Sequence, residues 1–136
     1  CVRYLKTRRS KTKLALDDES AVQDAIYLML RPWIHDLIPE NPTGKVGNRY
    51  AFGDFYSKSI ETIIEVKYVR NKAHGKDIYS ELSEDIELYR QNCEHLVFFI
   101  YDPESNIPDG DALKKAIMIE RSYAGRNLNC HLIIRP

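Results

Sequence analysis

Residues 95–101, HLVFFIY, form a nearly continuous apolar run. A run this short and rich in branched and aromatic side chains reads as a strand buried on both faces. Asp102-Pro103 ends it, because proline cannot continue a central strand. A doubly buried strand needs a sheet covered on both sides. The chain is long enough to supply that cover: 136 residues make one domain and bury a core without disulfides or a structural metal. With 43% hydrophobic and 29% charged residues, it lies far from the profile of a disordered chain.

The rest of the pattern places helices around such a sheet. Asp17, Asp18, Glu19 and Ser20 put acids and a cap at a helix start, and Val22, Ile26, Met29, Leu30 and Trp33 recur at helical spacing. The prediction is a helix over 19–31, with Pro32 at its end. Residues 36–48, with Pro39, Pro42, Gly44 and Gly47, read as a loop. Two strands follow, over 49–57 and over the β-branched stretch 61–69, and their short link predicts an antiparallel hairpin. Ile78, Leu82, Ile86 and Tyr89 mark a second helix over 77–91. A third helix is expected over 110–122 and a last strand over 131–135. The order α-β-β-α-β-α-β predicts an α/β fold, a mixed sheet flanked by helices.

Three residues carry chemistry in that arrangement. Glu65 and Lys67 stand two apart on the second hairpin strand and share a face, while Ile64, Val66 and Tyr68 point to the other. Antiparallel pairing brings Asp54 of the first hairpin strand beside Glu65. Two carboxylates suit Mg2+, which takes hard oxygen ligands and keeps several waters. The Val66 backbone carbonyl is a further candidate ligand. A nearby ammonium offsets charge growing on a phosphate. Taken alone, a Glu-x-Lys on a strand is more often an exposed ion pair. Against that stands its setting: TIIEVKYV is strongly apolar, and charges there are costly unless paired or functional.

Residues 18–136 resemble the DpnII/MboI-type restriction endonuclease domain, a branch of the PD-(D/E)XK nuclease superfamily. The resemblance rests on DESAVQDAI (18–26), GDF (53–55), IIEVKYVR (63–70), ELSEDIELYR (81–90) and HLVFFIYDP (95–103), in order. It implies a restriction-endonuclease-like core and a Mg2+-dependent DNA endonuclease, with Mn2+ able to substitute. It makes Asp54 and Glu65 metal ligands and Lys67 the catalytic lysine. Glu19 matches an acid of the first helix that reaches the active site. Gln23 and Asp24 match the same helix, and Asp85 and Tyr89 the second one. Two positions depart from the pattern: Phe52 stands where an arginine is usual, and Glu81 where a glutamine is. The metal-binding set is untouched by either, but no recognition sequence can be carried over.

The charges speak to partners. Net charge is zero, with 20 basic and 20 acidic residues, which argues against a nonspecific nucleic-acid binder. Local patches matter more for phosphate contact. Residues 3–13 hold six basic residues and no acid, so residues 1–16 read as a basic lead-in or linker and 17–136 as the domain. Arg70, Lys72 and Lys76 follow the hairpin and are candidates for DNA contact, with Gln23 added from the first helix. His74, among them, reads as a loop residue before it reads as a phosphate contact. His35, His95 and His131 show no metal-ligand spacing. Tyr50, Tyr56 and Tyr68 read as packing residues rather than stacking platforms. Cys1, Cys93 and Cys130 form no zinc motif and predict reduced thiols in a cytoplasmic protein without membrane spans. The chain starts with Cys, which predicts an origin in a longer protein, and the resemblance implies that this is a bacterial defence or restriction protein. Cutting both strands implies a homodimer. Two rival readings stand: a noncatalytic nucleic-acid-binding or interaction module, and a nuclease acting on RNA or branched DNA.

Overall fold

Helix α1, Glu19–Leu30, begins at an N-cap: the Asp18 carboxylate accepts the Ala21 N–H at 2.8 Å. The computed structural model describes residues 15–46 and 49–136, with 40–46 and 49–52 described for the backbone alone. After α1 come strands β1 (Ile38–Val46), β2 (Arg49–Ser57) and β3 (Thr62–Tyr68). Helix α2 (Lys72–Tyr89), strand β4 (His95–Tyr101), helix α3 (Gly110–Ile117), β5 (Glu120–Tyr123) and β6 (Arg126–Arg135) complete the order. The six strands form one sheet in the order β1-β2-β3-β4-β6-β5. β1 to β3 are an antiparallel meander, β3, β4 and β6 run parallel, and β5 returns antiparallel on β6. The sheet is therefore mixed and the fold is α/β and restriction-endonuclease-like.

Helices α2 and α3 share one face of the sheet, where Ile78, Leu82 and Ile86 pack with Leu113 and Ile117 over Leu96, Phe98 and Ile100. On the other face α1 sets Val22, Ala25 and Ile26 against Phe55, Ile64 and Val66. Ile63 therefore faces α2, and Ile64 faces α1, as strand alternation requires.

Four expectations are corrected. Residues 36–48 are not a loop, for most of them form β1. Its Pro39 and Pro42 are tolerated because β1 is the outer strand of the sheet, and the register shifts between Pro42 and Gly44. The second helix starts at Lys72, not 77, because the Asn71 side chain caps it by accepting the His74 N–H at 2.9 Å. The third helix stops at Ile117, and the residues after it form β5. Tyr123 and Arg126 flank a two-residue turn in which Ala124 and Gly125 both have positive φ (50° and 77°), the pattern of a type I′ hairpin. Finally, β4 is sealed on one face only. Leu96, Phe98 and Ile100 are fully buried, whereas Val97 and Phe99 are half-covered, because among the described residues α1 is the helix on the opposite face and it spans only part of it.

Candidate active site

The ladder between β2 and β3 pairs Ser57 with Thr62, Tyr56 with Ile63 and Phe55 with Ile64, and there it ends. Continuing that register would set Asp54 opposite Glu65. Beyond it the strands part, and side chains take up the hydrogen bonds that backbone would have made. The Asp54 carboxylate accepts the Val66 N–H at 2.7 Å. The Asp54 N–H points to Glu65 Oε2 at 3.4 Å. One residue pair further on, the Tyr68 N–H donates to Glu19 Oε2 at 3.3 Å, reaching back to the first turn of α1. Gly53 allows this geometry: a Cβ there would lie 2.7 Å from Ile63 Cγ2, in the buried wall beside Asp54.

The side chains of Glu65 and Lys67 emerge on the α2 face, and α2 meets them with Asp85 and Tyr89. The Lys67 ammonium lies 2.8 Å from Asp85 Oδ2 and 3.6 Å from Glu65 Oε1. The Tyr89 hydroxyl hydrogen-bonds the Glu65 carboxylate, and its ring is buried. Gln23 of α1 hydrogen-bonds the Asp54 carboxylate. The expected convergence of Asp54, Glu65 and Lys67 is thus present in the geometry, with Glu19 and Gln23 at its border. Asp24, by contrast, is exposed.

Burial governs the electrostatics. Glu65 is 8% exposed, and burial first, then the charge on Asp54, pushes its carboxyl up to about 8. Burial also raises Asp54, although the Val66 N–H works against it. Asp85 is raised by burial as well, with Lys67 opposing. Burial works against the Lys67 ammonium, but Asp85 and then Glu65 outweigh it and hold the group firmly charged. Tyr89 is held protonated by its burial and by the carboxylates around it.

Among the described residues, no group of three or more His, Cys, Asp or Glu side chains is arranged to hold a metal. A metal at this gap would draw its side-chain donors from the Asp54 and Glu65 pair. The Val66 carbonyl lies on the same strand edge as its N–H and so faces the gap that Asp54 fills. Two hard carboxylates and a carbonyl, with the remaining positions left to water, fit Mg2+ and not a soft metal. Their mutual repulsion, visible in the upward push on Glu65, is the condition a divalent cation relieves.

Other expected contacts divide. Arg70 is exposed and lines a polar cleft of about 400 Å³ with Asp18, Glu19 and Tyr68, beside the carboxylates. Lys72 and Lys76 are exposed on the first turns of α2, whose N-terminal turn carries no acid. His74 is not a loop residue. Its ring is fixed, with Nδ1 accepting the Arg70 N–H at 3.3 Å and Nε2 within 3.2 Å of Glu81, so it holds the strand-to-helix corner together. Glu81, the departure from the family pattern, is that partner. His95 and His131, which show no metal-ligand spacing in the sequence, lie with ring centroids 5.8 Å apart on neighbouring strands. Tyr68 packs on Tyr101 and Tyr56 against the core, while the side chains of Tyr50 and Phe52 and the basic run 3–13 lie outside the described residues. Cys93 and Cys130 are free and buried, and burial raises both thiols, Cys93 to about 12, which disfavours the reactive thiolate. No described helix is long and apolar enough to cross a membrane.

The contacts of Asp85 and Tyr89 with the strand residues were not derivable from spacing alone. The signal was present in their separation of four, which puts both on one side of α2 next to its apolar stripe.

A mixed sheet whose hairpin parts over a carboxylate pair, with a lysine two residues on, is the fold class of restriction-type nucleases. The family model for DpnII-MboI restriction endonucleases (REase_DpnII-MboI) matches residues 2–136, and the chain belongs to that family. No curated protein and no solved structure matches the chain significantly.

Proposed function

We propose that this chain is the Mg2+-dependent DNA endonuclease domain of a larger bacterial defence or restriction protein working in the cytoplasm. The observation that carries this reading is the convergence of Asp54, Glu65 and Lys67 where β2 and β3 part. Membership in a restriction endonuclease family supports it. Asp54, Glu65 and the Val66 carbonyl would hold the metal. When bound, Mg2+ or Mn2+ polarises the phosphoryl oxygen and makes a bound water acidic.

The chain's own groups do the rest. Lys67 orients the attacking water and offsets charge growing on the phosphate. Glu19, tied to the Tyr68 N–H, borders the gap and supports the waters there. Gln23 steadies the Asp54 carboxylate. Arg70, Lys72 and Lys76 offer exposed cations to the DNA backbone, and the acid-free N-terminal turn of α2 adds a positive helix end. One such centre cuts one strand at a time, so a homodimer would let the chain cut both strands in one encounter.

The test is cleavage of plasmid DNA in Mg2+ or Mn2+ by the wild type and by Lys67→Ala. Cutting by the wild type that disappears in the variant is expected. If the wild type binds DNA but does not cut it, a noncatalytic binding module replaces this reading. Equal cutting by both proteins removes Lys67 from the chemistry.

A further inference from the structure

Lys67 faces a choice of partners. Glu65 is its neighbour on the strand, at 3.6 Å, yet the ammonium sits closer to Asp85 on α2, at 2.8 Å. Both side chains of the closer pair are largely covered, each 16% exposed, so the contact is little screened by water. Without Asp85, the nearest carboxylate left to the ammonium is Glu65. A lysine collapsed onto Glu65 would occupy an oxygen that a metal needs, and would leave the attacking water unattended. Tyr89, one turn beyond Asp85, donates to Glu65 from the same side.

We propose that Asp85 is the positioning residue of this site: it draws the Lys67 ammonium off Glu65 and fixes it over the gap, while Tyr89 orients the Glu65 carboxylate. This rests on the nuclease reading above. Asp85 touches neither metal nor substrate in this scheme and acts only through Lys67. Helix α2 thereby sets the positions of both functional side chains of β3. Outer partners of this kind carry effects of about 10- to 100-fold in metal affinity or activity.

The experiment compares the wild type, Asp85→Asn, Asp85→Glu and Lys67→Ala. Each is assayed for kcat and KM on plasmid DNA, and without DNA for the Mn2+ concentration that half-saturates the rise in Tm. Asp85→Asn keeps the shape and removes the charge. Its kcat is expected to fall by about 10- to 100-fold with KM unchanged, and its half-saturating Mn2+ concentration to rise by a similar factor. Asp85→Glu, which restores the charge one methylene further out, is expected to recover part of both losses. A merely structural ion pair would lower Tm and leave kcat and Mn2+ affinity alone.

Asp85→Asn with wild-type kcat, beside an inactive Lys67→Ala, overturns the positioning role and leaves the nuclease reading standing. A raised KM at unchanged kcat also overturns it, by making Asp85 a DNA contact. No cutting by the wild type sinks the nuclease reading, and this inference with it. If Asp85→Asn does not fold, Asp85→Ser, which also removes the charge, takes its place: reduced kcat at unchanged KM supports positioning, and wild-type kcat overturns it.

Discussion

At the scale of single residues, the described chain uses carboxylates to finish what the backbone leaves open. Asp36 is an example away from the site. It accepts from Ser57 Oγ at 2.6 Å, Ser59 N at 2.7 Å and Ser59 Oγ at 2.9 Å, and so ties the segment before β1 to the turn after β2. The Ser57 hydroxyl, then the Ser59 N–H, lower its carboxyl from 3.8 to about 2. A depressed carboxylate contributes stability above its unfolded value and loses it as pH falls through the folded one. The wild type is therefore expected to lose Tm between pH 4 and pH 2 more steeply than Asp36→Asn, and equal slopes in pH-dependent thermal melts would refute this. Nothing in the sequence around Asp36 announced the arrangement, because its partners lie 21 and 23 residues away.

At the scale of elements, what was legible was what periodicity and capping report. α1, β2, β3 and β4 stand within a residue or so of their expected positions, and the hairpin parity that puts Glu65 and Lys67 on one face was readable from alternation. What was hidden depended on neighbours. β1 looked like a loop because Pro39 and Pro42 are penalised only where both edges of a strand must be paired. β5 was absorbed into a helix because its four residues are held by pairing with β6, not by their own propensity. α2 looked too short because its apolar stripe begins only at Ile78, and Gly75 stands before it. The reason for that glycine lies in packing: a Cβ there would overlap the Asn106 carbonyl, which passes against the helix. The obstacle is backbone, so it cannot rotate away. Gly75→Ala is expected to cost about 3 kcal/mol, despite alanine's better helix propensity, and a urea melt showing no loss would contradict this packing.

At the scale of the whole molecule, charge balance decides how DNA would be held. With 20 basic and 20 acidic residues, long-range attraction to a polyanion is weak, and binding depends on a few local cations. Arg70 is the one closest in sequence to the Glu65 and Lys67 pair, and it lines the adjoining cleft. Each neutralised phosphate adds about 0.9 to the slope of log affinity against log salt. Arg70→Gln is expected to lower that slope by about one, with similar weakening for any duplex sequence. Fluorescence anisotropy across a salt series in Ca2+ reads it, and an unchanged slope would take Arg70 off the DNA backbone.

The place where β2 leaves β3 has a consequence for the protein's life in a crowded cell. A strand with open amides is a template on which a foreign strand can add, and repeated addition is how sheets aggregate. The Val66 and Tyr68 N–H groups, past the end of the ladder, would be such a template. Asp54 and Glu19 already occupy them, and both bring negative charge to that rim. The acids at that rim thereby also guard the sheet against its own kind of misassembly.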